Sequence, residues 1–287
     1  MSESVLHAEN LEKSLDGDRI LKSLDLEVKP GETLVIMGAN GSGKSTLLSC
    51  LAGSKEIDGG RIESFGSSVR GVDGFASLLV QDSLCLDRLT GKENIEFYQR
   101  ADPRFTGRWR EYTQEMGIND ELDKEVENYS GGMRRKLELS ISLSNDAPVY
   151  LLDEPTAALD LKTVRDTHAI IKEHKNTDAA FVISTHLSLD ARIADRIAFL
   201  SDGEIVAEGS PQKLMDQLPE VLETDLENNE QLREHAIDNF TFTVDDKIRG
   251  FVSDNSIQME NMQSIDPSYT DMFNYYTELP KQKDDQN

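Results

Sequence analysis

Residues 38–46 read GANGSGKST, preceded by the apolar run Thr33–Met37 and followed by LLSCLA (47–52). The spacing satisfies G-x-x-x-x-G-K-[ST], with Gly38, Gly43, Lys44 and Ser45 at the fixed positions. Asn40, Gly41, Ser42 and Thr46 complete the loop. Glycines let the backbone curl so that successive N–H groups converge on phosphate oxygens. The helix expected from Lys44 to Ala52 adds its positive N-terminal end. Lys44 is expected to bridge β- and γ-phosphates, and Ser45 to hold Mg²⁺. An ordinary glycine-rich turn would lack the strand before and the helix after. Taken alone, the loop implies only a nucleotide phosphate.

Further along, VYLLDEP (149–155) reads as a buried strand ending in two carboxylates. Phosphoryl transfer needs positioning and charge neutralisation more than covalent chemistry. Asp153 is therefore expected to face the metal, and Glu154 to act as general base on the attacking water. Asp-Glu-Pro by itself is more often a strand-ending turn; behind a phosphate loop the functional reading dominates.

The surrounding chain alternates strands with helices, which argues for a mainly parallel, wound α/β sheet. Residues 5–36 read as an antiparallel strand region turning at Pro30-Gly31, and residues 60–82 carry short strands. Asn94–Arg100, Arg108–Met116 and 161–175 read as helices, and Ala179–Ser184 as a second buried strand. A helix is expected near 188–195, then a hairpin about Asp202-Gly203. Residues 217–231 turn acidic and Asn-rich and are expected to form a linker. The tail holds a strand-like run, Phe240–Val244, and an aromatic segment, Tyr269–Tyr276. In that segment Tyr269, Met272, Phe273 and Tyr276 stand at i, i+3, i+4 and i+7, one apolar face that should dock.

Composition narrows the function. The 287 residues carry a formal charge of −24 and are 37% hydrophobic. Such a balance opposes bulk binding to nucleic acid or anionic lipid. A high-salt cytoplasm would screen the self-repulsion, although Lys is as frequent as Arg. No run approaches the roughly 18–20 apolar residues of a spanning helix. The opening residues lack a secretory pattern, so a cytoplasmic location is expected. Cys50 and Cys85 fit no metal or redox spacing and read as packing residues. His7, His168, His174 and His235 read as surface residues.

The segment YSGGMRRKLELSISL (129–143) carries a resemblance to the ATP-binding cassette family. Ser130, Gly131 and Gly132 match its signature, while Tyr129 and Met133 replace the usual leucine and glutamine. The resemblance implies a P-loop NTPase cassette: a RecA-like core, an antiparallel β subdomain and a helical subdomain. It implies ATP and Mg²⁺ bound between two such subunits, most simply a homodimer, with Ser130, Gly131 and Gly132 reaching the partner's ATP. Gln81 matches the glutamine that senses Mg²⁺ and couples to the membrane partner. Asp160 matches the aspartate that touches the neighbouring phosphate loop, and His186 the switch histidine that holds the γ-phosphate and Glu154. Leu15 stands where an aromatic residue usually stacks on adenine, so stacking should be weaker.

The motifs span about residues 5–215. SGGMRRKLEL, LDRLTGKENIEFYQR and GSPQKLMDQLP look like the drug- and polysaccharide-export branch, similar to daunorubicin-type exporters, and PSYTDMFNYYT (267–277) resembles the close of that branch's C-terminal subdomain. The expected organisation is an ATP-binding domain over 1–225, with a helical insert at about 83–146, and an accessory region over 226–287. The expected function is ATP hydrolysis powering export through a separate integral membrane permease. The chain would then lie on the inner face of the cell membrane through that permease. Import, or a role in translation or DNA maintenance, are the alternatives. The latter relatives carry two cassettes or a long coiled coil, and this chain has neither.

Overall fold

A computed structural model describes residues 4–69, 74–81, 83–175, 177–253 and 261–279. The ends of the expected domains, at 1–3 and 280–287, and residues 254–260 of the accessory region lie outside the described residues.

In chain order the elements are β1 (Leu6–Leu15), β2 (Asp18–Val28), β3 (Thr33–Met37), α1 (Lys44–Leu51), β4 (Gly59–Ser64), β5 (Ser67–Ser68) and β6 (Ala76–Leu79). There follow α2 (Gly91–Ala101), α3 (Trp109–Glu115), α4 (Gly131–Leu143), β7 (Val149–Asp153), α5 (Leu161–Lys175), β8 (Ala180–Thr185), β9 (Arg196–Ser201), β10 (Glu204–Gly209) and α6 (Pro211–Asp216). The last are β11 (Glu220–Asp225), α7 (Asn229–His235), β12 (Thr241–Val244), β13 (Lys247–Val252), β14 (Gln263–Ile265) and α8 (Tyr269–Phe273), which runs into a π turn at Asn274–Glu278.

The central sheet has the order β10-β9-β3-β8-β7-β6. All its neighbours pair in parallel except β10, which joins β9 as an antiparallel hairpin. Every residue of β3, β7 and β8 is buried. Their apolar runs need no polar alternation because both faces are covered. Leu34 and Ile36 face α1 and the sheet β2-β1-β4-β5. Val35 and Met37 face the other way, with Leu152, Ile183 and Phe199.

The insert between β6 and β7 has a core of its own, built by Ile95, Phe105, Ile118, Leu122, Val126 and Leu137. The two departures in the signature belong to it. Tyr129 is buried there and donates its hydroxyl to the Glu121 carbonyl at 2.7 Å, and Met133 packs against the same cluster. Helix α2 starts earlier than expected, at Gly91, because Thr90 and Glu93 form a reciprocal capping box.

Three expectations change. Residues 188–195 form only a 3-10 turn, Asp190–Ile193, because the Asp190 side chain is drawn into a buried polar cluster. The stretch 217–231 is not a linker. Strand β11 pairs with β13 from Glu220↔Val252 to Asp225↔Lys247, so the sheet β12-β13-β11-β14 begins before residue 226. Finally, His168 and His174 are buried rather than on the surface, each held by a polar partner distant in sequence.

The aromatic face of α8 docks as its spacing implies. Met272 is fully buried, and Tyr269, Phe273 and Tyr276 pack on the core cluster of the central sheet. The Tyr276 ring stacks on Phe199 at 4.9 Å, and its hydroxyl donates to the Leu214 carbonyl at 3.2 Å.

Candidate active site

The phosphate-type loop joins the C-terminal end of β3 to α1, where an open α/β sheet places its ligands. Gly43 caps α1 with φ +105°, a conformation that L side chains rarely adopt. Gly38 is required for space: a Cβ there would lie 2.3 Å from the Leu200 carbonyl oxygen. Lys44 folds back, its Nζ donating to the carbonyls of Gly38 (2.7 Å) and Ala39 (3.1 Å).

Two neighbouring strands deliver the carboxylates and the histidine. Asp153 closes β7, and its Oδ1 accepts from Ser184 Oγ. Glu154 follows with φ +48°, a left-handed backbone for a side chain that disfavours it. Its N–H donates to the Ser184 carbonyl at 3.0 Å. His186 follows β8, and its Nδ1 is hydrogen-bonded to Glu154 Oε1 at 2.9 Å. Lys44 Nζ lies 3.9 Å from the same Oε1. Behind them, buried Asp190 accepts from Thr156 and Thr185, both at 2.8 Å, and pairs with His168 Nε2 at 2.8 Å. The turn after Glu154 and the residue before His186 are thereby fixed to one carboxylate.

Lys44, Glu154 and His186 border a cleft of about 660 Å³, within the usual size of a small-ligand site. Asn40, Gly41, Gly43, Lys44, Ser45 and Thr46 line one side, with Gln81, Glu154 and His186. Gly131, at the start of α4, lines the other. Gly38, Ser42, Asp153, Ser130, Gly132 and Asp160 do not line it. Ser42 Oγ is buried with no hydrogen-bond partner, and such an orphan beside a phosphate-type loop suits an anionic ligand. Ser130 caps α4, accepting from the Met133 N–H at 3.2 Å. Asp160 caps α5: the Thr163 N–H at 2.9 Å chiefly holds its carboxyl down to about 2, and Lys136 assists from 3.6 Å.

Leu15 is partly buried at the β1–β2 turn opposite Asp18 and does not line the cleft. Ile20, the third residue of β2, does. Arg134, Arg135 and Glu138 also line the cleft, at positions that no motif spacing marks. Burial pushes the Arg135 guanidinium below its ordinary value, against the pull of Glu138.

The family model described as ABC transporter matches residues 21–157. The phosphonates import ATP-binding protein PhnC 2 of Haloarcula marismortui is 32% identical over 234 residues, covering 73% of this chain and 86% of that protein. The chain belongs to the ATP-binding cassette transporter family. The cassette is likewise similar to the daunorubicin/doxorubicin resistance ATP-binding protein DrrA of Streptomyces peucetius, 32% identical over 222 residues, 74% of this chain and 67% of that one. Among solved structures it resembles the dimeric cassette MJ0796 in a post-hydrolysis state bound to ADP and Pi. That match has a TM-score of 0.65 and 26% identity, covering 71% of this chain and 98% of that one. This cassette is thus an ATP-binding subunit and an ATP hydrolase of the transporter family. Among the described residues, no helix is long and apolar enough to cross a membrane.

Proposed function

We propose that the cassette hydrolyses Mg-ATP with Glu154 as general base and drives export through a separate membrane permease. The Glu154–His186 hydrogen bond, with Lys44 Nζ 3.9 Å from Glu154, carries the reading. It sets a proton acceptor, its orienting partner and a phosphate-binding cation around one cleft. Glu154 takes the proton of the attacking water, and His186 holds the carboxylate in line and reaches the γ-phosphate. Lys44 and the N–H groups from Asn40 to Thr46 neutralise phosphate charge. No group of three or more His, Cys, Asp or Glu among the described residues is arranged to hold a metal alone. Ser45, Gln81 and Asp153 supply hard oxygen donors, which suits Mg²⁺ shared with substrate phosphates. When bound, that ion would offset charge on the β- and γ-phosphoryl oxygens.

Two copies would close about two nucleotides, with Ser130, Gly131 and Gly132 reaching the partner's ATP and Asp160 its loop. Ser130, Gly132 and Asp160 stand outside their own chain's cleft, which supports this, while Gly131 borders it. Ile20, which lines the cleft where Leu15 does not, would meet the base with apolar contact alone. We divide the chain into a cassette through residue 219 and an accessory region from Glu220, because β11 is laddered to β13.

Export follows the likeness to DrrA and the SGGMRRKLEL segment. Import is the second reading, supported by equal identity to PhnC 2 over a larger share of that protein. The test of the hydrolytic assignment is Glu154→Gln. It should bind ATP normally, lose turnover by about a thousandfold or more, and trap an ATP-bound dimer visible by gel filtration. Turnover at the wild-type rate would refute the assignment.

A further inference from the structure

Arg135 and Glu138 lie nearly one turn apart on α4, with side chains only 9% and 4% exposed. Their contacts lead out of the insert in two directions. Arg135 Nη1 donates to the Val80 carbonyl at 3.0 Å and to Glu138 Oε2 at 3.3 Å. Nη2 donates to the Asp153 carbonyl and, at 2.9 Å, to that of Glu154. Glu138 Oε1 accepts from Ser83 Oγ at 2.8 Å and from the Leu84 N–H at 3.2 Å. The segment carrying Gln81 is therefore gripped on both sides, at Val80 and at Ser83–Leu84. The same guanidinium holds the backbone of both carboxylate residues.

We propose that the Arg135–Glu138 pair is a positioning device for hydrolysis, locking the Ser130–Gly132 end of α4 to the Gln81 segment and to the strained backbone of Glu154. The proposal rests on the reading of Glu154 and Gln81 given above. A left-handed glutamate costs of order 1 kcal/mol and persists only where its surroundings over-determine it. Here both of its peptide groups are held: Ser184 takes the N–H and Arg135 the carbonyl. One planar guanidinium fork can serve three backbone carbonyls and a carboxylate at once, which an ammonium cannot. A buried ion pair contributes little net stability relative to a well-packed apolar pair. What this pair supplies is aim: a shift of the insert is passed to Gln81 and Glu154 together.

The test separates stability from turnover. Arg135→Met alone should unfold more easily, because it leaves Glu138 buried and unpaired. The double variant Arg135→Met/Glu138→Met should recover much of the unfolding temperature that the single variant loses. Its Kd for ATP should stay within about twofold of wild type, while kcat falls about ten- to a hundredfold through misplacement of the catalytic groups. Wild-type kcat in the stable double variant would overturn the proposal, leaving the pair a packing feature. A Kd raised as much as kcat is lowered would also overturn it, because Arg135 would then be a nucleotide contact. Arg135→Lys keeps the charge beside Glu138 and serves if the double variant does not fold. It should lose kcat with Kd unchanged, and full kcat would again overturn the idea. Glu154→Gln assayed in parallel separates the two readings. Loss of turnover there, with full turnover in the Arg135 variants, sinks this inference alone. Retained turnover there sinks the base assignment itself.

Discussion

His174 shows how one buried ring ties the cassette's stability to pH. It lies between α3 and β7, with its Nε2 2.7 Å from the Tyr112 hydroxyl and its ring edge-on to Tyr150 at 5.1 Å. Burial pushes its imidazole down to about 4, with Arg108 adding to the shift and Asp146 opposing it. Between its unfolded value of 6.5 and about 4, the unfolded chain takes up a proton that the folded chain refuses. The stabilisation is therefore complete above pH 6.5, is lost as pH falls towards 4, and shrinks no further below. His174→Gln keeps a polar partner for Tyr112 but cannot titrate. By calorimetry at pH 7 and pH 4.5, its unfolding temperature should fall less than that of the wild type; equal falls would rule the mechanism out. The sequence singled out His186 because its distance from Glu154 matched a motif. It gave no hint of His168 or His174, whose burial depends on Asp190 and Tyr112, partners that only the fold brings near. Arg135 escaped notice for the same reason: three of its acceptors are backbone carbonyls, which every residue owns.

At the scale of elements, regular patterns were legible and short mixed ones were not. Thr33–Met37 and residues 149–152 are continuous apolar runs, and a strand covered on both faces has no other signature. The i, i+3, i+4, i+7 face of Tyr269–Tyr276 was equally plain, and Met272 lies fully buried on it. Strand β11 was hidden by its acidic ends: Val221 and Leu222 point into opposite clusters, and neither face alternates long enough to be read. How α8 is held was also invisible. Asp271, with a fully buried side chain, accepts from Arg249 on β13 at 3.0 Å and completes a capping box with Ser268. Arg249→Met should therefore leave a buried carboxylate unpaired and lower unfolding stability by ~3 kcal/mol in urea titrations. Adding Asp271→Asn should restore most of it. A single variant as stable as wild type would show that the pair holds nothing.

Taken whole, the molecule is a cassette followed by the sheet β12-β13-β11-β14, with the aromatic face of α8 clamped onto the cassette's core. Truncation after Asp225 would keep every group at the cleft but strip β11 of β13 and β14. It would also uncover Phe199, on which Tyr276 stacks, and the core cluster that Met272 joins. Each such side chain returned to water costs about 1.5–3 kcal/mol. The truncated chain should melt at a lower temperature and self-associate in light scattering; an unchanged melt would mean that the region is an appendage. The two native thiols are sealed away from that rearrangement. Cys50 and Cys85 are the chain's only cysteines, both buried, and desolvation raises them to about 11 and about 12. The thiolate is the form that maleimides and methanethiosulfonates attack, so both native thiols should label slowly beside an exposed cysteine. A cysteine placed at exposed Asn128, just outside the Ser130–Gly132 contact, should be the thiol that takes a spin label, and the approach of two copies could be followed by dipolar spectroscopy without first removing either native cysteine.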